Sequence, residues 1–489
     1  MFRAGGSSSS SLRPAGRCGV RVHSHTHKAP DQAFPFVPPN AIKVPSPGWK
    51  KQDLMQEVSK ALKSVSSSLL ERFIGTAYRF SEQPCLNEGN FRPVNEIGEA
   101  VLLKDLSGEV PEDFPEGVYI RNVEIWQTSS MELWSQPFTS HPKKIHGSGD
   151  LVIMGTNTEK PHFVLGVISS DGEKPLHKVD LKFEEGKFIH DIGVTTGYNI
   201  IMDYPLIFGI SRTLLQKPFI ENDMNGKSRI GVMPRFGDAE SIMWFDVENH
   251  CSYHLFNCFE DGNEVVVRGC RILGSIIPSN RHRVDKSKWY GRAFLQPDKD
   301  SEDFDPSLDG ILFSRPYEWR LNLESGTTNE CYITSEKVAM DFPVISDKFT
   351  GIRNKYGYAQ VADSLATSKT GLFKFKMIAK LHFDMPDKEN KQFISVEYHA
   401  LKEKQFCSGV QFVAKENGID EDDGWVVTYV HDEETNISQV YIIDAKRFSE
   451  EPVAKITLPQ RVPYGFHGNF FYKTVFEAIQ YFTAVTTQR

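Results

Sequence analysis

Residues 425–444 read WVVTYVHDEETNISQVYIID, and this stretch shows the pattern that decides the fold. Two short runs of β-branched and aromatic residues flank a polar turn at Asp432–Asn436, which predicts a pair of short strands. From about residue 98 onward, similar runs occur at 117–121, 150–154, 198–202, 241–245 and 264–268. Long helical periodicity is absent after about residue 75. We therefore predict an all-β fold for most of the chain.

The length of the strand-rich region distinguishes between all-β architectures. About 390 residues of short strands, from 98 to 489, exceed an ordinary sandwich and suit a propeller of four-stranded blades. No repeat of fixed period is visible, so this prediction depends on strand number and chain length. Residues 206–235 and 271–300 lack the strand pattern and are predicted to be long loops at the entrance to a site.

Four histidines stand in distinctive local sequences. They are His141 in FTSHPK (138–143), His190 in FIHDI (188–192), His254 in YHLFN (253–257) and His467 in YGFHG (464–468). The gaps of 49, 64 and 213 residues fit no helix or hairpin motif, so only a large closed fold can bring these side chains together. Neutral imidazole is a common ligand of redox metals, and a set of nitrogen ligands suits iron, copper, zinc or nickel. The pattern predicts a metal centre on the axis of a radial fold.

Composition and charge exclude two classes of function. The chain has 489 residues, a net charge of -8 and a pI of about 6.0, whereas a nucleic-acid-binding surface needs a basic stripe. No run of 18 apolar residues occurs, so no transmembrane segment is predicted. The 34 phenylalanines predict an interior or a pocket rich in aromatic rings.

The N-terminal region differs from the rest in composition. Residues 1–30 contain five consecutive serines, five Lys or Arg residues and no acid, which is typical of an organellar transit peptide; a disordered tail is the alternative. Residues 31–80 hold a proline-rich linker and an amphipathic helix predicted at 53–74. That helix either packs on the main domain or rests on a membrane surface. Residues 81–489 are predicted to form the propeller.

The four histidine segments resemble, in order, those of the carotenoid cleavage oxygenases. The first is followed by Gly149-Asp-Leu151, and the second by Met202-Asp-Tyr-Pro-Leu206. The resemblance extends over about residues 50–475 and includes supporting segments at 229–235, 341–343, 356–358 and 421–424. It implies a seven-bladed propeller with a dome of loops and helices over the axis. It also implies that His141, His190, His254 and His467 hold ferrous iron, Fe(2+).

The implied reaction is the oxidative cleavage of one double bond of a carotenoid or apocarotenoid. Dioxygen contributes both oxygen atoms, and two carbonyl products result. Tyr253 and Phe466 adjoin the ligands and are expected to line a dry substrate tunnel, with core packing as the alternative role. Together with the N-terminal composition, the resemblance implies a plastid enzyme, similar to a divergent plant branch of the zaxinone-synthase kind.

Two of the places where this chain departs from the family pattern bear on the metal centre. After Asn122 a block on the order of one propeller blade is missing, which suggests a truncated form with an incomplete first blade region. The family also holds three of its histidines with carboxylates, usually glutamate, that orient the rings. One of these would lie in the missing block. A second aligns with Asp341, which is one methylene shorter and is expected to reach further or to use water, and the third aligns near Gly409 and Val410, which carry no carboxylate.

Three hypotheses follow for the function. The first is an iron-dependent carotenoid cleavage dioxygenase. The second is an inactive or truncated propeller isoform that binds carotenoid or protein partners without catalysis. The third is a partner-binding propeller whose histidines are scattered by chance. Metal content and dioxygen consumption distinguish among them.

Overall fold

The computed structural model describes a strand-rich domain and a short segment before it. The described residues are 89–95, 103, 105–121, 139–157, 160–209, 220–223, 225–272, 291–298, 300–305, 309–370 and 372–473. Chain contacts divide the protein into two units, residues 23–96 and the remainder. In the first unit, the described part contains a 3-10 helix at Gly89–Phe91. The predicted transit peptide, linker and helix at 53–74 lie outside the described residues, as does the junction that follows Asn122.

Short antiparallel strands dominate the second unit. In its first half these are β1 (Leu106–Gly108), β2 (Gly117–Arg121), β3 (Lys143–Lys144), β4 (Leu151–Thr156), β5 (Phe163–Ile168), β6 (Pro175–Asp180), β7 (Gly186–Lys187), β8 (Gly193–Val194), β9 (Tyr198–Asp203), β10 (Leu206–Phe208), β11 (Ile220–Asn222), β12 (Ser228–Pro234) and β13 (Met243–Val247). In its second half they are β14 (Cys251–Asp261), β15 (Glu264–Ile272), β16 (Arg315–Asn322), β17 (Thr328–Tyr332), β18 (Met340–Val344), β19 (Tyr356–Ala362), β20 (Phe375–Pro386), β21 (Ile394–Ala400), β22 (Gln405–Ala414), β23 (Gly424–Asp432), β24 (Ile437–Asp444), β25 (Ala454–Thr457) and β26 (Gly468–Tyr472).

Few helices interrupt these strands. Within the described residues, helical structure occurs in α1 (Ser364–Thr370), at residues 291–293, and in 3-10 turns at Ala239–Ser241 and Asp347–Phe349. Asp363 begins α1 as an N-cap, because its carboxylate accepts a hydrogen bond from the N–H of Ala366 at 3.0 Å. None of the helices within the described ranges combines the length and apolar composition that crossing a bilayer requires. The all-β prediction is confirmed.

The strands form consecutive four-stranded meanders. Strands β3 to β6 make the first, β8, β9, β12 and β13 the second, and β14 to β17 the third. Two further meanders, β18 to β21 and β22 to β25, join in a nine-stranded sheet through a single β20–β22 pair and gain β1 at the edge. A three-stranded sheet of β7, β10 and β11 lies outside this series. Each meander pairs strands that are near in sequence.

Strand β9 shows how the sheets bury both of their faces. Ile200 and Met202 belong to a core cluster shared with β14, β15 and β16, whereas Ile201 belongs to a cluster shared with β4 and β5. Alternate side chains of a strand point to opposite faces, so each inner sheet lies between two hydrophobic layers. This explains why such strands read as unbroken apolar runs rather than alternating ones.

Strands near the beginning of the domain pair with strands near its end. Strand β2 pairs with β26, so that Gly117 lies opposite Tyr472 and Ile120 opposite Asn469. The ring of Tyr119 stacks on that of a tyrosine in β23, with ring centroids 4.7 Å apart. Strand β1 pairs with β25 in the same way. These pairings cover strand edges that would otherwise be exposed, and they orient the segment that leads into β26.

The seven strands quoted from the sequence are all present, most of them longer than predicted, but the loop prediction for 206–235 is wrong. This stretch contains β10, β11 and β12, and β12 is an inner strand of the second meander. Gly231 and Pro234 interrupt the apolar pattern of β12, so the strand was not predicted. Gly231 is required because a Cβ atom there would lie 2.8 Å from the ring of Trp244, and Pro234 ends the strand at an exposed position. In the second predicted loop, β15 extends to Ile272, and residues 273–290 lie outside the described residues.

Candidate metal centre

The four predicted histidines reach one location from separate parts of the fold. His141 lies two residues before β3, and His190 lies between β7 and β8. His254 is within β14, and His467 immediately precedes β26. Each is thus carried by a different sheet or by the connection that leads into it. His254 is fully enclosed, whereas the other three are partly buried.

The spacing of the rings suits a single metal ion. One nitrogen from each histidine can be chosen so that all four lie within 4.8 Å of one another. The Nε2 atoms of His141 and His190 are 3.1 Å apart. Two neighbouring nitrogen ligands, each about 2.1 Å from one metal, are about 3 Å apart, so this separation fits. The Nε2 atom of His254 is buried and has no hydrogen-bond partner within the described structure, as expected of a ligand atom.

Electrostatics keeps the innermost ring neutral. Burial, followed by the neighbouring His467, His141 and His190, lowers the pKa of His254 well below its usual range. A neutral imidazole is the form that binds a metal. The Nδ1–H group of His254 donates to the Oδ1 atom of Asp341 at 2.8 Å, which leaves the lone pair of Nε2 directed at the other histidines.

Asp341 reaches His254 directly, although it is shorter than the glutamate implied by the resemblance. Strand β18 has a register shift between Asp341 and Val344, and Phe342 adopts a left-handed φ of 56°. The N–H of Phe342 also donates to the Oδ1 atom of Asp341, at 2.7 Å. Burial raises the pKa of Asp341 to about 7. A backbone irregularity of this kind costs free energy and is concentrated at functional sites.

Aromatic rings surround the histidines. Tyr253 meets His190 edge-on, with ring centroids 5.3 Å apart. Phe466 stacks on Phe342 at 5.3 Å, and Phe342 in turn lies 4.7 Å from His254. The two predicted lining residues therefore lie at the site. Phe342, which directly follows the singled-out Asp341, was missed by the sequence prediction.

A small cavity adjoins the histidines on a more polar side. Its volume is about 140 Å³. The residues that line it are His141, Lys143, Asp191, His254, Leu255, Pro343, Val344, Gln411, His467, Gly468 and Asn469. Lys143 and Asp191 contribute opposite charges to this lining. The site thus has both a polar side and an aromatic side.

The segment of His467 is held through its backbone. Gln360 is buried; its Nε2 donates to the carbonyl oxygen of Phe466 at 2.7 Å, and its Oε1 accepts from the N–H of Gly409 at 3.1 Å. Val410 and His467 form an isolated parallel bridge. At the position where the resemblance implies a carboxylate, the chain instead places its backbone against the ligand segment. The sequence prediction gave no role to Gln360, because nothing local connects it with a residue 106 positions away.

We expect a Gly409→Ala substitution to disturb the His467 segment. Gly409 has a φ of 72°, and an added Cβ atom would lie 2.9 Å from the carbonyl oxygen of His467. Overpacking of this kind typically costs about 1–3 kcal/mol of unfolding free energy. Gly326→Ala is the matched control, because Gly326 has a φ of 71° with open space around it. Denaturant unfolding and metal titration should show a larger loss for Gly409→Ala; equal losses would contradict the steric argument.

Two other histidines near the ligands in sequence take no part in the cluster. The Nδ1 atom of His146 is 2.8 Å from the carbonyl oxygen of Lys348. His250 is buried, with its ring stacked on Trp319 at 4.9 Å and its Nδ1 atom 2.8 Å from the carbonyl oxygen of Glu248. Both histidines therefore contact backbone carbonyl groups in their own surroundings.

Comparisons with known proteins place the chain in a family. The family model described as RPE65, retinal pigment epithelial membrane protein, matches residues 123–472. The chain belongs to this family, the carotenoid cleavage oxygenases. The resemblance inferred from the histidine segments is therefore confirmed.

Curated members of the carotenoid cleavage oxygenase family are similar over about two thirds of the chain. Carotenoid 9,10(9',10')-cleavage dioxygenase 1 of Pisum sativum is 32% identical over 68% of this chain and 58% of its own length. Zeaxanthin 7,8(7',8')-cleavage dioxygenase of Crocus sativus is 27% identical over 68% of this chain and 81% of its own. Probable carotenoid cleavage dioxygenase 4, chloroplastic, of Arabidopsis thaliana is 28% identical over 68% of this chain and 51% of its own length. The chain thus spans less than two thirds of the pea protein.

Solved structures of carotenoid cleavage oxygenases share the fold. Lignostilbene dioxygenase of Pseudomonas brassicacearum is 19% identical, with a TM-score of 0.57 over 71% of this chain and 69% of its own. Cobalt-substituted apocarotenoid oxygenase of Synechocystis is 20% identical, with a TM-score of 0.53 over 69% of this chain and 65% of its own. At this level of identity the likeness concerns the fold alone.

Proposed function

We propose that this chain is a non-haem Fe(2+) dioxygenase that cleaves one double bond of a carotenoid or apocarotenoid. The observation that carries the proposal is that four imidazoles converge, with one nitrogen atom of each lying within 4.8 Å of the others. The names of the similar proteins from Pisum sativum and Crocus sativus support the class of substrate. Addition of both atoms of dioxygen across a carbon–carbon double bond gives two carbonyl groups, so the reaction balances without a reductant.

The donor set favours ferrous iron. Four neutral imidazoles bring no negative charge, so the ferric state gains little stabilisation from its ligands, and nitrogen donors suit iron among the redox metals. Bound iron would orient and activate dioxygen and the polyene together. His141, His190, His254 and His467 would hold the metal. Asp341 would keep the ring of His254 in the tautomer that presents Nε2 to it.

The aromatic side of the site would receive the polyene. Tyr253, Phe342 and Phe466 offer apolar surface beside His190 and His254. Rings packed at about 5 Å leave little room for water, and a conjugated chain contacts their faces well. Exclusion of water would also protect a reactive oxygen species from side reactions. We therefore assign Tyr253 and Phe466 to the lining of a substrate tunnel, together with Phe342.

The wider organisation is part of the proposal. We infer that residues 81–489 form one propeller of seven blades with an incomplete first blade region, capped by loops and helices over the axis. The consecutive four-stranded meanders and the fold shared with the carotenoid oxygenases support it. For the helix predicted at 53–74, the sequence leaves two roles open, packing on the main domain or contact with a membrane surface.

A plastid is the location that we propose. The composition of residues 1–30 supports it, since serine and arginine are frequent and acids are absent, as in transit peptides. Some similar proteins, including the one from Arabidopsis thaliana, carry the word chloroplastic in their names, whereas the dioxygenase from Pisum sativum does not. Fusion of residues 1–50 to a fluorescent protein should direct it to plastids; cytosolic fluorescence would contradict the proposal.

A second candidate function is a non-catalytic isoform that binds carotenoid or a protein partner. The observation in its favour is the absence of a carboxylate at residues 409–410, since partners that orient metal-binding histidines typically contribute about 10- to 100-fold to metal affinity or activity.

One experiment separates the two candidates. The protein is loaded with ferrous iron without air, mixed with a panel of carotenoids and apocarotenoids, and exposed to isotopically labelled dioxygen. The proposed enzyme should consume dioxygen and release two carbonyl products, each with one labelled oxygen before exchange with water. Iron-loaded protein that binds a polyene but consumes no dioxygen would instead support the isoform. Protein that retains no iron would contradict the metal centre itself.

A further inference from the structure

One buried carboxylate contacts the backbones beside two of the histidines. Asp191 directly follows His190 and is only 4% exposed. Its Oδ2 atom accepts a hydrogen bond from the N–H of Leu255 at 2.9 Å, and Leu255 directly follows His254. Its Oδ1 atom accepts from the N–H of Ile192 at 2.7 Å. The same side chain thus holds the connection into β8 against β14.

The third histidine segment is held by the same carboxylate through an ion pair. The ammonium group of Lys143 lies 2.8 Å from the Oδ1 atom of Asp191, and Lys143 is two residues beyond His141. The backbones of His141 and Asp191 also form an isolated parallel bridge. Asp191 therefore connects three chain segments that are separated by 49 and 64 residues and that carry three of the four ring ligands.

These segments need such a connection because regular sheet structure constrains them weakly. Strands β3 and β8 are two residues long, so each contributes few ladder hydrogen bonds. Strand β14 is longer, but its pairing with β15 shifts register on both sides of Leu255. A bulge of this kind leaves backbone groups outside the ladder. The carboxylate of Asp191 supplies bonds at the places where the ladders do not.

We propose that Asp191 is a positioning residue that brings His141, His190 and His254 into a metal-binding arrangement before the metal binds. It acts through backbone N–H groups and Lys143, whereas Asp341 acts on a ring. The ion pair between Asp191 and Lys143 has a second consequence. The charge of an unpaired Lys143 would repel a cation in the cavity that this residue helps to line. Pairing with Asp191 neutralises that charge. This inference rests on the proposed metal centre.

The test compares Asp191→Asn with Asp422→Asn in the full chain. Asp422 is also buried and also pairs with a lysine ammonium at 2.8 Å, that of Lys380 in β20, a strand that carries none of the four histidines. Both variants remove one charge from a buried ion pair. Cobalt(II) is the probe, because its visible absorption bands report the number and geometry of its ligands. Affinity for cobalt, these bands and the unfolding temperature of the metal-free protein are measured for each variant.

We expect both variants to lower the unfolding temperature, while only Asp191→Asn weakens cobalt binding, by about 10-fold or more, and shifts the bands. An Asp191→Asn variant with wild-type affinity and spectrum would overturn the inference. Wild-type protein that binds no cobalt would instead overturn the proposed metal centre, so the two failures are distinguishable.

A double variant, Asp191→Asn with Lys143→Met, separates position from charge. It leaves no unpaired ammonium group, so it also serves if Asp191→Asn alone fails to fold. If Asp191 positions the backbones, the double variant still binds cobalt at least about 10-fold more weakly than wild type. Recovery of wild-type affinity would mean that Asp191 merely neutralises Lys143, and the positioning role would be wrong.

Discussion

Replacement of His254 by alanine is expected to reduce metal affinity by more than about 100-fold, because removal of an outer partner alone typically costs about 10- to 100-fold and here a direct ligand is lost. His254 is the most deeply enclosed of the four histidines, and its Nε2 atom faces the others without another partner in the described structure. Iron content per protein, measured after removal of excess metal, should fall to background. Dioxygen consumption with a polyene should disappear with it.

The matched control for this prediction is His146→Ala. His146 is exposed and bonds to a backbone carbonyl group, so its loss should leave iron content and dioxygen consumption unchanged. His190→Ala provides a second ligand variant, at a partly buried position where less core packing is lost. Retention of iron by both ligand variants would contradict the four-histidine centre and would support the hypothesis of histidines scattered by chance.

Replacement of Asp341 by alanine should have the next largest effect. The substitution removes the acceptor 2.8 Å from the Nδ1 atom of His254 and leaves a buried N–H group without a bond. An unsatisfied buried donor costs about 1–3 kcal/mol, and loss of such a partner weakens metal binding about 10- to 100-fold. Metal titration of the folded variant measures this loss.

Asp341→Asn distinguishes the hydrogen bond from the charge. Asparagine keeps a side-chain oxygen that can accept from the Nδ1–H group of His254, but it brings no negative charge. We expect metal affinity to fall less than in the alanine variant. If both variants bind metal as tightly as wild type, the contact between Asp341 and His254 has no part in metal binding. If both lose the same amount, the charge rather than the acceptor is what matters.

The histidines could be found from the sequence because each stands in a distinctive short segment of neighbouring residues. The dipeptide in which Asp191 follows His190 was also visible, yet its role was not. The sequence prediction quoted the FIHDI segment without assigning any function to the aspartate. What Asp191 does depends on Leu255 and Lys143, which lie 64 and 48 residues away. No local pattern encodes that a backbone N–H outside a ladder needs an acceptor from another sheet.

For Asp341 the sequence left two alternatives open, and the structure shows direct contact with His254. A side chain one methylene shorter than glutamate was expected to reach further or to use water. The sequence alone gave no sign that β18 changes register there or that Phe342 takes a left-handed backbone conformation. That backbone change brings the shorter carboxylate into direct contact with His254. It also places Phe342 against two of the rings.

By itself, the sequence determined that this chain forms short β-strands and presents four imidazoles in the order of the carotenoid cleavage oxygenases. Those properties are local, since strand pattern and histidine segments depend on neighbouring residues. The tertiary structure decided which groups hold the histidines in place: Asp341 through a ring, Asp191 and Gln360 through backbones. These contacts join residues from 48 to 106 positions apart, as with Lys143 and Asp191 or Gln360 and Phe466. Only the packing of one sheet against another brings such partners within hydrogen-bond distance.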